Sequence, residues 1–408
     1  MLELLKQNKR FRVLLSYQFF SAIGGAMFSM FILLSVHLIY ENPIFTGIAG
    51  FLMAAPRIIS FSVGPIVDRR NKVTIMRLTT FLEFLVLALL AFTPLKESFG
   101  VLFMFAVIFV YNMAALFENP AGTALLPQIV QEDEILRANS MINIIAMAGG
   151  IMIGIILFSA VRDDVNFTFL FGFSAVFIAL AFCCSLFLKK PGIKKIANAK
   201  PNYATDLKEG AKFIKSSLLL YAIIAVVAMG FFGEMSYVNR PQFLEYHVGA
   251  QGYVVYIMMA LIGGIIASSI VGKYGNKFKL GRLVFVLFLL TAVTRIVFVL
   301  VLPLHYTGWF VMAIMFSALA TSLGIIFTTL NQKVPPENMV GRVDTITSTF
   351  VAVAATVGAL VGGFLGSIVP VVDHIIIFQG LSYIVVGGFL FLVPSFRKLP
   401  RLDEIKRQ

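Results

Sequence analysis

Charged residues are scarce in this chain of 408 residues, since Asp, Glu, Lys and Arg together make up 13% of it. A soluble protein carries about 25% charged and ~45–50% apolar residues. Here the apolar share is 59%, so too few polar side chains remain to cover a globular surface. The composition therefore excludes a water-soluble domain and indicates a membrane protein.

Residues that support soluble chemistry are also few. The only two cysteines, Cys183 and Cys184, are adjacent in an apolar stretch, which excludes a disulfide framework. No HExxH or Cys-x-x-Cys spacing offers a metal site, and no GxxxxGK[ST] loop is present to bind ATP. All four histidines fall near the ends of apolar segments: His37, His247, His305 and His374. We therefore expect no enzyme activity, no cofactor and no metal. Any process that requires energy must then draw on an ion gradient, another concentration gradient or a partner.

Apolar residues are abundant enough for about twelve membrane helices, because 59% of 408 is about 241 residues and each helix needs ~20. The first apolar run is longer than the core of a secretory signal, so we expect it to be retained as a span. The prediction is therefore an all-α membrane protein. The hydropathy pattern predicts twelve spans, at 13–40, 44–67, 73–94, 99–119, 139–160, 165–188, 217–243, 250–272, 281–303, 307–330, 346–369 and 373–395.

Basic residues are distributed unevenly between the loops. With twelve spans the two termini lie on one side of the membrane, and 28 of the 33 Lys and Arg residues belong to that side. Because cytoplasmic loops are enriched in Lys and Arg, both termini are predicted to be cytoplasmic, in a multi-pass protein of the plasma (inner) membrane. The same distribution accounts for the net charge of +13 without a nucleic-acid partner.

The longest loop divides the spans into two sets of six. It is a lysine-rich cytoplasmic linker, 189–216, between an N-terminal half, 1–188, and a C-terminal half, 217–408. The loops at 130–137 and 334–342 resemble each other, since both place acidic residues, an apolar pair and then an Arg. Two six-helix halves related by internal repetition are typical of secondary transporters.

Glycines recur at four-residue spacing in two spans. Gly150 and Gly154 lie in the fifth span, and Gly358, Gly362 and Gly366 lie in the eleventh. This spacing puts them on one face of each helix, where a neighbouring backbone can approach closely.

A short helix is predicted inside the linker. Asp206 and Glu209 have the spacing of an N-terminal helix cap, and Leu207, Ala211 and Ile214 then form a thin apolar stripe. Two placements stay open: the helix lies on the inner leaflet with its lysines among the headgroups, or it is a solvated basic linker.

The loop between the second and third spans carries the clearest motif. It resembles the signature loop of the major facilitator superfamily, which has Gly, three residues, Asp-Arg, one residue, Gly and then basic residues. Asn71 stands at the second Gly, and we expect it to adopt the left-handed conformation, which Asn tolerates. The resemblance implies the superfamily's fold of twelve helices in two pseudo-symmetric halves. The loop reads Gly64-Pro65-Ile66-Val67-Asp68-Arg69-Arg70-Asn71-Lys72.

Three further segments, 119–127, 207–210 and 334–342, look like the macrolide-efflux subgroup of drug:proton antiporters. This resemblance implies proton-coupled efflux. Two positions depart from the antiporter pattern: Tyr111 stands where an Arg is common in span four, and Ile151 stands where a Pro often follows Gly in span five.

The signature loop is also the candidate gate, with Gly64, Asp68, Arg69 and Lys72 as its gating residues. The resemblance implies that Asp68 contacts the start of span eleven when the cavity faces outward. The positive end of a helix dipole favours a carboxylate at such a position.

Ionisable residues inside spans are unfavourable in lipid and are therefore candidates for function. Arg57 lies 11 residues from Asp68, and Glu83 lies 11 residues from Lys72, so both sit ~16 Å above the loop on consecutive helices. We predict an Arg57–Glu83 ion pair, either as a structural latch or as a protonation switch.

Two more ionisable residues lie within spans. Glu234 is in span seven, a cavity-lining helix in the superfamily, and the only basic residue nearby is Arg240, on a different face. A carboxyl group without a close cation in a low-dielectric site can carry a proton near neutral pH. Glu234 is therefore a candidate for proton or substrate binding, with a neutral structural acid as the alternative. Arg295 in span nine has no partner evident from the sequence, so it forms a structural pair or binds an anionic group.

Other polar residues in the spans are weaker candidates. Gln18, Asn112 and Tyr237 either face a cavity or bond to a neighbouring helix. Glu118 and Asn119 precede a proline near the end of span four, and we expect them to shape a helix end.

These observations favour a monomeric secondary exporter that moves a hydrophobic or amphipathic small molecule outward by alternating access, with proton antiport as the coupling. Its expected partners are the small-molecule substrate, protons and the lipid bilayer. Two alternatives stay open: an exporter of a siderophore, a peptide or a lipid-like metabolite, and a membrane receptor or immunity protein that keeps the fold without turnover.

A labelling experiment tests the predicted sidedness. Lys96 lies in a predicted outer loop and Lys200 lies in the central linker. In a variant without Cys183 and Cys184, we expect Lys96→Cys to react with an impermeant maleimide in intact cells. Lys200→Cys should react only after the membrane is opened. Equal labelling of both positions in intact cells would contradict the topology.

Overall fold

The computed structural model describes residues 8–93, 98–130, 138, 141–142, 149, 167–188, 203–301, 306–336, 339–368, 373–401 and 404–405. This part of the chain is helical and contains no strand, which confirms the all-α prediction. Its helices in chain order are α1 (Lys9–Tyr40), α2 (Pro43–Ala54), α3 (Ser60–Arg69), α4 (Lys72–Phe92), α5 (Ser98–Leu125), α6 (Phe167–Leu186), α7 (Tyr203–Ser216), α8 (Leu219–Tyr237), α9 (Arg240–Val248), α10 (Ala250–Tyr274), α11 (Leu280–Val301), α12 (Tyr306–Lys333), α13 (Val340–Ile368), α14 (Asp373–Leu392) and α15 (Pro394–Arg397).

Ten helices of the described part are long and apolar enough to cross a bilayer, namely α1, α4, α5, α6, α8 and α10 to α14. Each coincides with a predicted span, and the pair α2 and α3 coincides with the predicted second span. The predicted fifth span, 139–160, lies almost entirely outside the described residues, as do Gly150, Gly154, Lys96 and Lys200. The count of twelve spans therefore stays a prediction.

Large apolar side chains cover the exposed faces of these helices. Phe92 is 86% exposed, Leu392 is 78% exposed and Phe187 is 76% exposed. Leaving such a side chain in water instead of burying it is unfavourable by ~1.5–3 kcal/mol, whereas hydrocarbon chains solvate it. Exposed apolar surface on this scale is typical of helices that face lipid.

Two asparagines begin membrane helices. Asn8 caps α1 by accepting a hydrogen bond from the backbone N–H of Phe11 at 3.0 Å. Asn71 caps α4 by accepting from the backbone N–H of Thr74 at 3.2 Å, with φ −70° and ψ 118°. The prediction that Asn71 is left-handed is therefore wrong, because an N-cap residue needs an extended backbone.

Pro56 breaks the second predicted span. Its nitrogen carries no hydrogen to donate to the carbonyl of the preceding turn. The chain therefore makes a short 3₁₀ turn, Ala55–Ile59, between α2 and α3. Arg57 lies in this turn and is exposed.

The chain forms two compact units. The first comprises Met1–Phe45 and Leu52–Asn198, and the second comprises Thr46–Phe51 and Ala199–Gln408. In the first unit, buried apolar residues of α1, α3, α4, α5 and α6 form one core. In the second, residues of α8 and α11 to α14 form another. The boundaries at 188 and 217 predicted from the sequence stay a prediction.

The helix α7 is docked on the start of α13. Glu209 forms an ion pair with Arg342. A β-carbon added at Gly210 would lie 3.3 Å from the side chain of Arg342, so the glycine allows the two helices to approach closely. Both contacts lie within the second unit.

The apolar face of α7 differs from the predicted stripe. Ile214 is buried in the core of the second unit, whereas Ala211 is exposed. The side chains of Asp206 and Leu207 lie outside the described residues. The described part of α7 packs its buried face on protein, and the placement of its lysines relative to the inner leaflet stays a prediction.

The glycines of α13 confirm the predicted close approach to a neighbouring backbone. A β-carbon at Gly358 would lie 2.2 Å from the carbonyl oxygen of Phe231, and one at Gly362 would lie 2.3 Å from that of Met235. Asn239, just after α8, donates to the carbonyl oxygens of Met235 at 2.9 Å and Gly362 at 2.8 Å. The helices α8 and α13 are therefore packed backbone to backbone and joined by a side-chain bridge.

This packing predicts a difference between two glycine substitutions. Gly358→Ala forces α8 and α13 apart, and overpacking of this kind typically destabilises by about 1–3 kcal/mol. Gly388→Ala is the control, because nothing lies within 4 Å of its added β-carbon. We expect Gly358→Ala to lower the temperature at which the purified protein loses its gel-filtration peak, and Gly388→Ala to leave it unchanged or raise it. Equal unfolding temperatures for the two variants would contradict the contact.

Candidate functional site

Two buried carboxyl groups lie together in the first unit. Glu83 of α4 is 1% exposed, and Glu118 of α5 is 7% exposed. Their side chains lie within hydrogen-bonding reach of each other. Two ionised carboxylates repel each other in a buried site, and both can only accept hydrogen bonds. The pair is therefore suited to hold a proton.

Hydroxyl groups of α1 and α4 extend this site. Tyr17 Oη donates to Oε1 of Glu118 at 2.6 Å, and Ser21 Oγ donates to the same oxygen at 2.8 Å. Tyr17 Oη also lies 2.7 Å from Oγ1 of Thr80, and this oxygen lies 2.7 Å from the carbonyl oxygen of Met76. Since Tyr17 donates its one hydrogen to Glu118, the hydroxyl group of Thr80 donates either to Tyr17 or to Met76. Close polar contacts thus lead from Glu118 to the backbone of α4.

Helical spacing brings these groups together. Tyr17 and Ser21 are four residues apart on α1, and Thr80 and Glu83 are three residues apart on α4. Residues at these separations share one face of a helix. Glu118 on α5 meets both faces, so the site, which we call the carboxyl site, is built from three helices.

The prediction that Glu118 and Asn119 shape a helix end is wrong. The helix α5 continues through Pro120 as far as Leu125, and membrane helices tolerate an internal proline when neighbouring groups satisfy the freed carbonyl. Asn119 is exposed, whereas Glu118 is buried. In the sequence, Glu118 is recognisable as an acidic residue within an apolar run long enough to span the membrane. Pro120 obscured this, because it made the run look as if it ended there.

The predicted Arg57–Glu83 ion pair is not formed. Arg57 is exposed on the 3₁₀ turn, and Glu83 lies within hydrogen-bonding reach of Glu118 instead. Equal depth on two helices does not determine the direction in which side chains point around each axis, and the turn at Pro56 reorients Arg57. Within the described part of the chain, Oε1 of Glu83 has no hydrogen-bond partner.

Tyr111 closes the carboxyl site on one side. Its ring packs against Phe28 with centroids 4.0 Å apart, and the charges of both Glu83 and Glu118 act on it. Tyr111 stands where antiporters commonly have an Arg. It therefore places an aromatic ring and no positive charge near the two glutamates. No ion pair to either glutamate occurs among the described residues.

A buried arginine joins several helices of the second unit. Arg295 of α11 is 1% exposed. Its guanidinium donates to Gln379 Oε1 at 2.8 Å, to Ser236 Oγ at 2.9 Å and to Tyr256 Oη at 3.3 Å. It also lies 4.4 Å from the ring centroid of Phe316. The partners that the sequence could not supply are therefore neutral side chains of α14, α8, α10 and α12.

Arg240 lies beside this group at the start of α9. Its guanidinium is 4.9 Å from the ring centroid of Tyr237 and 5.0 Å from that of Tyr256. Glu234 acts on Arg240 electrostatically. The role of Glu234 in proton or substrate binding stays a prediction.

Two of the predicted polar positions lie in the first unit. Asn112 Nδ2 donates to the carbonyl oxygen of Ile108 at 2.8 Å, a bond within its own helix. The side-chain nitrogen of Gln18 would lie 2.8 Å from a β-carbon added at Gly122, so Gln18 packs against α5. Both side chains are half-buried.

The gating residues are described only in part. The backbone of α3 ends at Arg69, and α4 begins at Lys72, which leaves a connection of two residues. The side chains of Asp68 and Arg69 and the surroundings of Gly64 are not described, whereas Lys72 is half-buried. The gating role of this loop stays a prediction.

Comparison with known sequences relates the chain to transporters. The profile of the Major Facilitator Superfamily matches residues 14–359. The Staphyloferrin A transporter of Staphylococcus aureus (strain NCTC 8325 / PS 47) is 29% identical over 252 residues. The aligned region covers 57% of this chain and 59% of that relative.

Comparison with solved structures relates the fold to the same class. A mutant of the nucleoside transporter NupG has a TM-score of 0.73 at 13% identity, over 92% of this chain and 98% of that one. A mutant of the peptide transporter POT in complex with sulfate has a TM-score of 0.74 at 13% identity, over 97% and 96%. A bacterial homologue of the iron transporter ferroportin in an inward-facing state has a TM-score of 0.71 at 13% identity, over 95% and 98%. At these identities the likeness concerns the fold.

The hydrogen bond from Tyr17 to Glu118 predicts a measurable coupling. Tyr17→Phe removes a bond to a carboxylate, which is worth about 1.5–3 kcal/mol, whereas a bond to a neutral acceptor is worth about 0.5–1.5 kcal/mol. We therefore expect Tyr17→Phe to destabilise the protein less when Glu118→Gln is already present. Denaturant unfolding of the two single variants and the double variant measures this difference. Tyr246→Phe is the control, because Tyr246 is 82% exposed. Additive effects of the two substitutions would contradict the bond.

Proposed function

Because the chain belongs to the major facilitator superfamily, we propose that it is a secondary active exporter of hydrophobic or amphipathic small molecules. Protons that bind and leave the carboxyl site supply the driving force. The observation that carries this proposal is the close approach of two buried carboxyl groups, those of Glu83 and Glu118.

The charge of the carboxyl site explains why it can bind and release a proton. With one proton, the pair carries one negative charge, which the hydroxyl groups of Tyr17 and Ser21 stabilise at Glu118. With a second proton the pair is neutral. With none, two negative charges would be in contact in a low-dielectric site, which is strongly unfavourable. The pair therefore favours states in which at least one of its carboxyl groups is protonated.

The hydrogen bonds also link protonation to helix position. Tyr17 and Ser21 lie on α1, whereas Glu118 lies on α5. A shift of α1 against α5 weakens these bonds and makes the negative charge on Glu118 less favourable. A proton can drive a conformational change only if it binds the two conformations with different affinity, and this arrangement supplies such a difference.

An apolar cavity in the second unit suits the apolar part of a cargo. It measures about 540 Å³, within the range of small-molecule sites. Glu234 and Tyr237 come two and five residues after Phe232 on α8, so polar residues follow the apolar lining along this helix. The cavity is lined by Ile214, Leu220, Ile223, Ile224, Val227, Ala228, Phe231, Phe232, Ile346, Phe350 and Ala354.

The direction of transport is part of the proposal. The resemblance of the segments 119–127 and 207–210 to the macrolide-efflux subgroup supports export. The distribution of Lys and Arg supports cytoplasmic termini and a plasma membrane location. We further propose that the gating loop with Gly64, Asp68, Arg69 and Lys72 controls the cytoplasmic side.

A siderophore is the second candidate cargo. It is favoured by the similarity to the Staphyloferrin A transporter, although that similarity covers 59% of the relative. A receptor or immunity protein without transport is less well supported, because such a protein gains little from a protonatable pair buried in its spans.

Uptake into inverted membrane vesicles tests the coupling. We expect vesicles with the wild-type chain to accumulate cargo when their lumen is acidic, by up to about ten-fold per pH unit for one proton exchanged. The cargo probes are radiolabelled erythromycin and Staphyloferrin A, measured separately. Glu83→Gln should abolish accumulation driven by the pH gradient, because a neutral amide cannot exchange a proton, while cargo still equilibrates passively through the protein.

The matched control is Glu404→Gln, which changes an exposed carboxyl group near the C-terminus and should accumulate cargo like the wild type. Accumulation of only one probe identifies the better cargo class. Unchanged accumulation in both Glu83→Gln and Glu118→Gln would exclude the carboxyl site from the proton path. Failure of the wild type to move either probe would favour the receptor alternative.

A further inference from the structure

Two arginine side chains of the second unit flank one tyrosine. The guanidinium of Arg240 lies over the ring of Tyr256 at 5.0 Å, and Arg295 donates to the hydroxyl group of the same residue at 3.3 Å. Each arginine also acts electrostatically on the other. Two like charges so close in a membrane protein are unfavourable unless anions compensate them.

The described residues compensate these charges only in part. Glu234 is the one acid that acts on Arg240. The side chains that bind Arg295 are all neutral: Gln379, Ser236 and Tyr256. Among the described groups that act on the two arginines, two positive charges thus face one negative charge.

One donor of this cluster is also unused. The Nε of Arg240 is buried and has no hydrogen-bond partner within the described part of the chain. A buried N–H without a partner is rare in native proteins and calls for an unseen partner. Arg240 itself is half-buried, as are Tyr237 and Glu234 beside it, whereas Arg295 is 1% exposed. A ligand would therefore reach Arg240 first, with Arg295 behind it.

We propose that Arg240, supported by Arg295 and Tyr256, binds a carboxylate group of the transported molecule. The planar guanidinium presents parallel N–H donors that match the two oxygens of a carboxylate. The ligand would supply the missing negative charge and a partner for the unused donor. This inference rests on the proposed transport function and narrows its cargo to organic anions.

An apolar cavity lies further along α8, and its lining residues do not include the two arginines. Phe231 and Phe232 line the cavity and precede Ser236 by four or five residues, about 6–8 Å along the axis. A molecule with an apolar body in the cavity would need a carboxylate head beyond this separation to contact the arginines. A purely structural arginine pair explains the bonds of Arg295 but leaves the unused donor of Arg240 without a role.

Equilibrium dialysis with three matched probes tests this binding without transport. Radiolabelled adipate, its neutral diamide adipamide and the diamine 1,6-diaminohexane share one chain length and differ in charge. Purified protein in an uncharged detergent, at fixed pH and ionic strength, should bind adipate and neither of the other two. The only tryptophan of the chain, Trp309, lies 6.3 Å from Phe298, whose ring lies 5.6 Å from Arg295. Its fluorescence gives a second reading of the same site.

Variants separate recognition from general charge. Arg240→Gln should weaken adipate binding by about ten-fold to hundred-fold, the usual effect of losing hydrogen bonds to a charged group. Arg240→Lys should bind with intermediate strength, since it keeps the charge and loses the planar fork. Arg397→Gln should bind like the wild type, because Arg397 is an exposed cation of the same unit, at its C-terminal end.

Inorganic phosphate is added as a competitor and should displace adipate less well than unlabelled adipate does.

The outcomes are distinct from those of the transport assay. Adipate bound by the wild type and lost in Arg240→Gln supports the inference, even if Glu83→Gln leaves transport unchanged. The inference is wrong if adipate binds no better than adipamide, if the diamine binds instead, or if phosphate competes more strongly than adipate. It is also wrong if Arg240→Gln, eluting as a folded protein, retains full affinity. The comparison of the probes on the wild-type protein needs no variant. It therefore tests the inference even if Arg240→Gln fails to fold.

Discussion

A polar group inside the hydrocarbon core of a bilayer has no water to bind, so it must find its partner within the protein. This constraint explains most side-chain hydrogen bonds of the structure. Thr291 and Thr347 donate to carbonyl oxygens one turn back on their own helices. Where no such local partner suffices, as for Glu118 and Arg295, several helices converge on one charged group. The charged groups are therefore the points at which the packing of each unit is most specific.

The two units meet this constraint with charges of opposite sign. The first buries two neighbouring carboxyl groups and places hydroxyl donors at one of them. The second buries arginines and surrounds them with neutral acceptors and aromatic rings. The proposed protons would reduce the charge of the first arrangement, and the proposed carboxylate would reduce that of the second.

Hydropathy predicted the spans well, because the bilayer selects for length and apolar composition alone. It could not predict which side chains meet, because contacts depend on the direction of each side chain around its helix axis. Arg57 and Glu83 matched in depth yet do not pair, since the turn at Pro56 rotates Arg57 to the surface. Glu118 was overlooked because Pro120 looks like a helix end. The partners of Arg295 come from four other helices, a convergence that no local pattern reveals.

The docking of α7 changes how the linker between the units should be regarded. Its ion pair from Glu209 to Arg342 and the burial of Ile214 make α7 a rigid extension of the second unit. Lys208, Lys212 and Lys215 all lie on its exposed surface. They are therefore attachment points whose positions are fixed relative to the second unit. A dye or gold particle coupled there would turn with α13 and report the orientation of the second unit, while every membrane helix stays unmodified.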